Sequence, residues 1–355
     1  MRQFKCKEDF VEWLSEFYHF SLIPGWATVP GFVSITNDKL DISIPFAADS
    51  LVGELTDWIL AQQAELDVSF PFSVTCRVKQ LTTSLGKYTR GVKNIIAVSS
   101  AKGGVGKSTT AVNLALALSS ANSKVGLLDA DIYGPSVPLM LGTKSQSPEV
   151  VEEKWMKPIL AHGIYTNSIG YLVSDDEAAI WRGPMASKAL QQLLNETLWQ
   201  DLDYLVIDLP PGTGDIQLTL AQQIPVTTAV VVTTPQDLAL ADAKKGVAMF
   251  EKVHVPVAGF IENMSYHICS QCGHHDDIFG HGGVDKLAQD FGLPVLAKLP
   301  LHTDIREDID EGRPTLIRRP KSEHSQMYLE LAELLASQLF WQGKVKPDEI
   351  PVMTV

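Results

Sequence analysis

Three groups of residues in this chain have types and spacings that do chemistry. The first is Ala101-Lys102-Gly103-Gly104-Val105-Gly106-Lys107-Ser108, followed by Thr109. A triphosphate needs many donors at short range, and backbone N–H groups at the start of a helix supply them together with the helix dipole. Gly103, Gly104 and Gly106 let the backbone bend and approach where side chains would stand in the way. Lys107 neutralises the β- and γ-phosphates, and the Ser108 hydroxyl is a ligand for Mg²⁺. Residues 101–109 are therefore read as a P-loop cradle for a nucleoside triphosphate, ATP. The usual pattern opens with Gly, where this chain has Ala101. A dinucleotide fingerprint fits less well. It places a third Gly or Ala in the opening helical turn, where Lys107-Ser108-Thr109 stand.

The second group is carboxylates. Val125-Gly-Leu-Leu-Asp129-Ala-Asp131 and Tyr204-Leu-Val-Ile-Asp208 are apolar runs that end in acids, each followed by a Gly/Pro turn. An acid at the end of a strand beside a P-loop holds Mg²⁺ directly or through water, the role assigned to Asp208. Asp131 opens a loop bounded by Gly134 and Pro135 that can act as a switch, which makes it the candidate to orient or deprotonate the attacking water. Asp129 is assigned to support of the Mg²⁺ shell. The third group is His267-Ile-Cys269-Ser-Gln-Cys272-Gly-His274-His275. Two thiolates two residues apart grip one metal atom or the edge of a cluster, and either needs four ligands. Spacing alone leaves three completions: zinc finished by the nearby histidines, an iron–sulfur cluster shared with a second chain, or a redox couple.

These groups need elements to hold them. Nearly continuous Val/Ile/Leu runs at 95–98, 125–128, 205–207, 229–232, 257–261 and 295–299 read as strands buried on both faces. Helical stretches separate them, among them 109–120, with Leu114 and Leu118 on one face. The alternation predicts an α/β fold, a mostly parallel sheet flanked by helices. Ligands of such sheets bind at the carboxyl ends of the strands, where each motif above falls. Residues 1–85 read as a separate small α+β unit: helices at 8–20 and 50–66, a hairpin of 33–36 and 40–44 about Asn37-Asp38, and a strand at 73–78. Residues 86–93 read as a linker, 94–345 as the P-loop domain and 346–355 as a loosely packed tail.

With 45% apolar and 20% charged residues in 355, the composition is that of a globular protein. A formal net charge of −13 argues against general binding to nucleic acid or anionic membranes, which takes clustered Lys and Arg. Charges stand in the first ten residues where a signal peptide has its apolar stretch, so the expected compartment is the cytoplasm. Four cysteines do not make a disulfide framework in so long a chain, and Cys6 and Cys76 stand alone.

The motifs, taken together and in order, resemble the Mrp (ApbC) iron–sulfur cluster carrier ATPases from about Gly91 to about Glu349. The resemblance rests on residues 100–108, on Leu128-Asp-Ala-Asp-Ile-Tyr-Gly-Pro-Ser136 and Trp181-Arg-Gly-Pro-Met185, and on Asp208-Leu-Pro-Pro-Gly-Thr-Gly-Asp215. Thr233-Thr-Pro-Gln236, Glu262-Asn-Met264 and Cys269-Ser-Gln-Cys272 complete it. Ala101 departs from the family's glycine, and residues 1–85 are only weakly similar to a small domain of iron–sulfur assembly factors. The resemblance implies a homodimer that binds a [4Fe–4S] cluster through Cys269 and Cys272 of each chain and passes it to apoproteins, with cluster assembly factors as further partners. It implies that Lys102, the second lysine of a deviant P-loop, reaches the phosphates across the dimer, and that Asn263 contacts the adenine. Two other classes remain. One is a spatial or partitioning ATPase, which should show a basic patch or an amphipathic C-terminal helix. The helix read at 322–342 carries Glu330 and Glu333 after a single lysine, Lys321, and fits a membrane poorly. The other is a zinc-stabilised nucleotide switch.

Overall fold

The computed structural model describes residue 4 and residues 6–83, 85–173, 183–269 and 271–347. Trp181 and Arg182 of the third motif, Ser270 and positions 348–355 of the expected tail lie outside the described residues.

The chain opens with α1 (Lys7–Leu14), followed by β1 (Val33–Thr36), β2 (Lys39–Ile44), α2 (Asp49–Leu66) and β3 (Phe72–Cys76). The hairpin between β1 and β2 turns on Asn37 and Asp38 at φ 51° and 60°, the left-handed pair that matches the twist of a two-residue hairpin. β3 then pairs parallel to β2, with α2 as the crossover. The first helix is shorter than its apolar spacing suggests. It stops at Leu14, Ser15 caps it with its hydroxyl turned back to Val11 O, and Phe17 is buried from a turn.

Next come β4 (Val92–Ser99), α3 (Lys107–Ser120), β5 (Val125–Asp129), α4 (Val137–Met140), β6 (Val150–Val151), β7 (Trp155–Met156), β8 (Ile159–Ala161) and β9 (Ile164–Ser168). They are followed by α5 (Gly183–Glu196), β10 (Leu202–Asp208), α6 (Asp215–Gln223), β11 (Thr228–Thr233), α7 (Asp237–Lys252) and β12 (Val257–Glu262). The chain continues through β13 (His267–Ile268), β14 (His275–Asp276), α8 (Gly283–Phe291), β15 (Val295–Lys298), α9 (Thr303–Asp310), α10 (Thr315–Arg318) and α11 (Glu323–Gln342). β4 starts inside the stretch expected to be linker, because Val92 pairs with Leu202 at the foot of β10.

The large sheet runs β15-β12-β11-β4-β10-β5-β9-β8 and is parallel except for its last pair, the hairpin of β8 and β9. Its central strands feed two cores, one on each face. Ile96 and Val98 of β4 join Leu127, Val206 and Val230 against α3 and α11. Ile95 and Ala97 join Leu128, Leu205 and Val231 against α5, α6 and α7. Alternate residues of one strand thus face opposite layers, which is why these strands read as unbroken apolar runs. The first of those cores continues into residues 10–81, where Phe32 stacks on Trp341 of α11 at 5.3 Å and Phe46 packs on Phe340. No described helix is long and apolar enough to cross a membrane.

Candidate nucleotide and cysteine sites

β4 and α3 position the phosphate loop. β4 lies between β10 and β11 in the middle of the sheet, so the loop leaves from a strand that cannot shift. A Cβ built on Gly103 or Gly104 would meet nothing within 4 Å, so the space above the loop is open to a ligand. Gly106 is different. Its φ is +82°, and a Cβ there would collide with Asn263 Nδ2, so glycine is required on both counts. The Ala101 methyl group stands beside Gly246 of α7, where a Cβ added to that glycine would lie 3.8 Å away. Thr109 O anchors the side chain of Asn113 one turn along α3.

Lys107 is buried and folded back on the acids. Its Nζ lies 2.5 Å from Asp208 Oδ1, 3.2 Å from Ser108 Oγ and 3.9 Å from Asp131 Oδ2. Register explains the meeting: Asp208 ends β10 opposite Val98 of β4 and Asp129 of β5. Asp208 is fully buried, and its second oxygen, Oδ2, has no hydrogen-bond partner among the described residues. A buried carboxylate oxygen left this way normally carries a desolvation penalty. With the Ser108 hydroxyl nearby it forms an all-oxygen donor set suited to a hard cation such as Mg²⁺. Lys102 is half-buried and has no ion-pair partner among the described residues.

Asp129 does something the spacing did not suggest. Its Oδ1 accepts from the Asp131 N–H at 3.1 Å, and its Oδ2 accepts from the Val137 N–H at 3.1 Å and the Ser168 hydroxyl at 3.0 Å. The carboxylate therefore ties down both ends of the loop that carries Asp131. Burial, reinforced by the neighbouring Asp208, pushes its carboxyl up to about 7. Burial also raises Asp131, while Lys107 opposes the rise. Ser168 entered no motif, and no local signal marks it, since it arrives from β9.

Asn263, just past β12, donates from Nδ2 to Val105 O at 2.8 Å, and its own N–H donates to Thr233 O at 2.8 Å. In this structure it braces the phosphate loop from the side.

The cysteines occupy the turn of a short hairpin, β13 and β14. Gly273 N–H donates to Cys269 O and Cys269 N–H to His274 O, closing the turn with Gly273 at φ +70°. Cys269 is half-buried and Cys272 exposed. The backbone N–H groups of Gln271 and Cys272, followed by the Cys272 side chain, lower the Cys269 thiol and favour its thiolate. His274 and His275 are exposed, and the His275 ring stacks on Tyr266 at 5.2 Å. Among the described residues no His, Asp or Glu completes a three-ligand cluster with the two cysteines.

A loop–helix cradle, a Lys–Asp pair and a strand-end acid beside a parallel sheet make a P-loop nucleotide site. Residues 91–336 match the ParA family described as NUBPL iron-transfer P-loop NTPase. The chain belongs to this family. Relatives of this chain bear matching names. An iron-sulfur cluster carrier protein of Escherichia coli K12 is 66% identical over 265 residues, 75% of this chain and 72% of that one. One of Haemophilus influenzae is 57% identical over 318 residues, 88% and 85% of the two chains. An iron-sulfur cluster transfer protein NUBPL of Dictyostelium discoideum is 51% identical over 250 residues, 70% and 77% of the two. Among solved structures, a nucleotide-binding protein of Archaeoglobus fulgidus in complex with ADP superposes with a TM-score of 0.59 at 34% identity. That alignment covers 67% of this chain and 93% of that one. The cell division ATPase MinD of Pyrococcus furiosus gives a TM-score of 0.53 at 23% identity over 68% of this chain and 98% of that one, a likeness of fold. The expected α/β P-loop architecture and the expected family are both found.

Proposed function

We propose that this protein is an ATPase that carries an iron–sulfur cluster between two copies of the chain and delivers it to apoproteins. The observation that carries the reading is the isolated cysteine pair. Cys269 and Cys272 sit at an accessible hairpin turn with one thiol already favoured as thiolate, and no third ligand in the described chain approaches them. A [4Fe–4S] cluster takes four thiolates. A two-fold axis brings a surface patch against itself, so two chains supply all four at one point. The names of the relatives support the cargo.

The nucleotide site supplies the other half. ATP binds with its phosphates in the cradle of residues 101–109. Lys107 then exchanges Asp208 for the β- and γ-phosphates, which releases the Asp208 carboxylate. Asp208 and the Ser108 hydroxyl would hold Mg²⁺, which neutralises charge on the phosphates when bound. Asp129 keeps the switch loop in place and so supports this shell indirectly. Asp131, at the start of that loop, orients the attacking water and takes its proton. Asn263 reaches the adenine from the side of the loop it braces, and Lys102, without an ion-pair partner among the described residues, reaches the phosphates of the partner copy. The small N-terminal unit packs on α11 through Phe32 and Phe46.

The test is to reconstitute variants with iron and sulfide under anaerobic conditions. Cys269→Ala and Cys272→Ala should each abolish the cluster absorbance while ATP hydrolysis persists. A full cluster content in either variant would remove the cysteines from the site.

A further inference from the structure

A second group of ligand-type side chains lies at the foot of the cysteine hairpin, outside both sites above. His302 precedes α9, Asp304 stands in the first turn of α9, and His324 stands in the first turn of α11. One ligand atom from each lies within 4.8 Å of the others. The two imidazole rings are 4.4 Å apart at 39°. Two imidazoles bound to one metal at about 2.1 Å and at a right angle would have centroids roughly 4.5 Å apart. The rings therefore already stand near the spacing that adjacent positions on one ion require.

From this geometry we infer that His302, Asp304 and His324 form a binding site for a divalent first-row transition-metal ion. Two imidazoles and one carboxylate on adjacent positions, with the remaining positions open to water, are the donor set of octahedral ferrous-type sites. His324 is buried, and its ring lies against that of His302. His302 Nδ1 accepts from the Asp304 N–H at 3.1 Å, so a metal at that nitrogen takes over the lone pair that caps α9. That nitrogen lies 3.9 Å from Asp304 Oδ2. The carboxylate is held in turn by Arg319, whose Nη1 is 3.0 Å from Asp304 Oδ2 and whose Nε donates to the buried Asp308. Ligating carboxylates are commonly oriented by such outer partners.

The location connects the group to the cysteines. Leu301 N–H donates to Tyr266 O at 2.7 Å, and the His267 ring bonds Leu301 O at 3.1 Å. His302 thus follows directly on the segment that pairs with the base of the hairpin, and His267 lies two residues before Cys269.

The test uses the full chain with Cys269→Ala and Cys272→Ala, without nucleotide, so that failure of the carrier reading and failure of this site can be told apart. Cobalt(II) is titrated in excess Mg²⁺, which fills oxygen-only sites and competes poorly for imidazole. The expected result is about one cobalt per chain, with a visible d–d band, on the one-ion geometry above. Substituting His302→Asn keeps a side chain able to cap α9 while removing the imidazole. It should weaken cobalt by at least about a hundredfold, more than loss of an outer partner costs. His324→Gln and Asp304→Asn should do the same in folded protein, judged by circular dichroism, and His274→Ala should change nothing. Absence of stoichiometric cobalt in the folded cysteine variant, or cobalt uptake indifferent to all three substitutions, overturns the site.

Discussion

At the phosphate loop Lys107 and Asp129 are held from several directions, whereas at the cysteine hairpin the two thiols are held only by their own turn. Lys107 is gripped by Asp208, Gly106 is pressed by Asn263, and Asp129 fastens the switch loop at both ends. These contacts come from β4, β10, β12, β5 and β9, so the site is the convergence of the whole sheet edge. The hairpin has two-residue strands, and its cysteines are half-buried and exposed. A site that must stabilise a charged transition state gains from rigid preorganised groups. A site that must release its cargo gains from few ligands and easy access. The contrast in packing therefore matches a contrast in task.

The comparison can be broken at the nucleotide end. Lys107→Ala should reduce ATP hydrolysis to background and leave cluster reconstitution intact; loss of both activities would mean that the regions are not separable. Lys102→Ala should lower hydrolysis by about a thousandfold or more, as for a cation supplied in trans to a phosphoryl transition state. Mixing it with Lys107→Ala subunits should restore part of the activity in heterodimers. Strictly additive loss would place Lys102 in its own chain's site. Asp131→Asn should slow hydrolysis by roughly a hundredfold or more with nucleotide binding retained, the loss expected of a general base. A parental rate in that variant would transfer the role elsewhere.

The smallest effect concerns Asp129. Its carboxyl stands at about 7 when buried, against 3.8 for an ordinary aspartate. Between those values the folded nucleotide-free protein holds a proton that the unfolded chain has lost. Stability should therefore fall as pH rises from about 4 to about 7, at up to roughly 1.4 kcal/mol per pH unit from this group. Asp129→Asn should flatten that slope in denaturant titrations at several pH values. An unchanged slope would show that the proton is held elsewhere in the cluster of acids.

The phosphate loop was legible from residue types because its ligand dictates them locally: glycines, a lysine and a hydroxyl within eight positions. The central strands were legible because burial on both faces leaves an unbroken apolar run. What escaped were contacts between residues distant in sequence. Val137 and Ser168 reach Asp129 from 8 and 39 positions away, and Asn263 reaches Val105 from 158. Short elements escaped for another reason. β8, β13 and β14 have three, two and two residues, too few to show a period. The end of α1 was overestimated because Phe17 keeps the helical spacing while packing from a turn.

The claim that the cluster is shared between two chains can be measured directly. Reconstituted protein is sedimented while nucleotide-site protein absorbance and cluster absorbance are followed separately. The account predicts that cluster absorbance travels only with the dimer, at about one four-iron cluster per two chains on the four-thiolate count, and disappears in the Cys269→Ala/Cys272→Ala variant. A cluster that sediments with a monomer, or that survives in that variant, contradicts it.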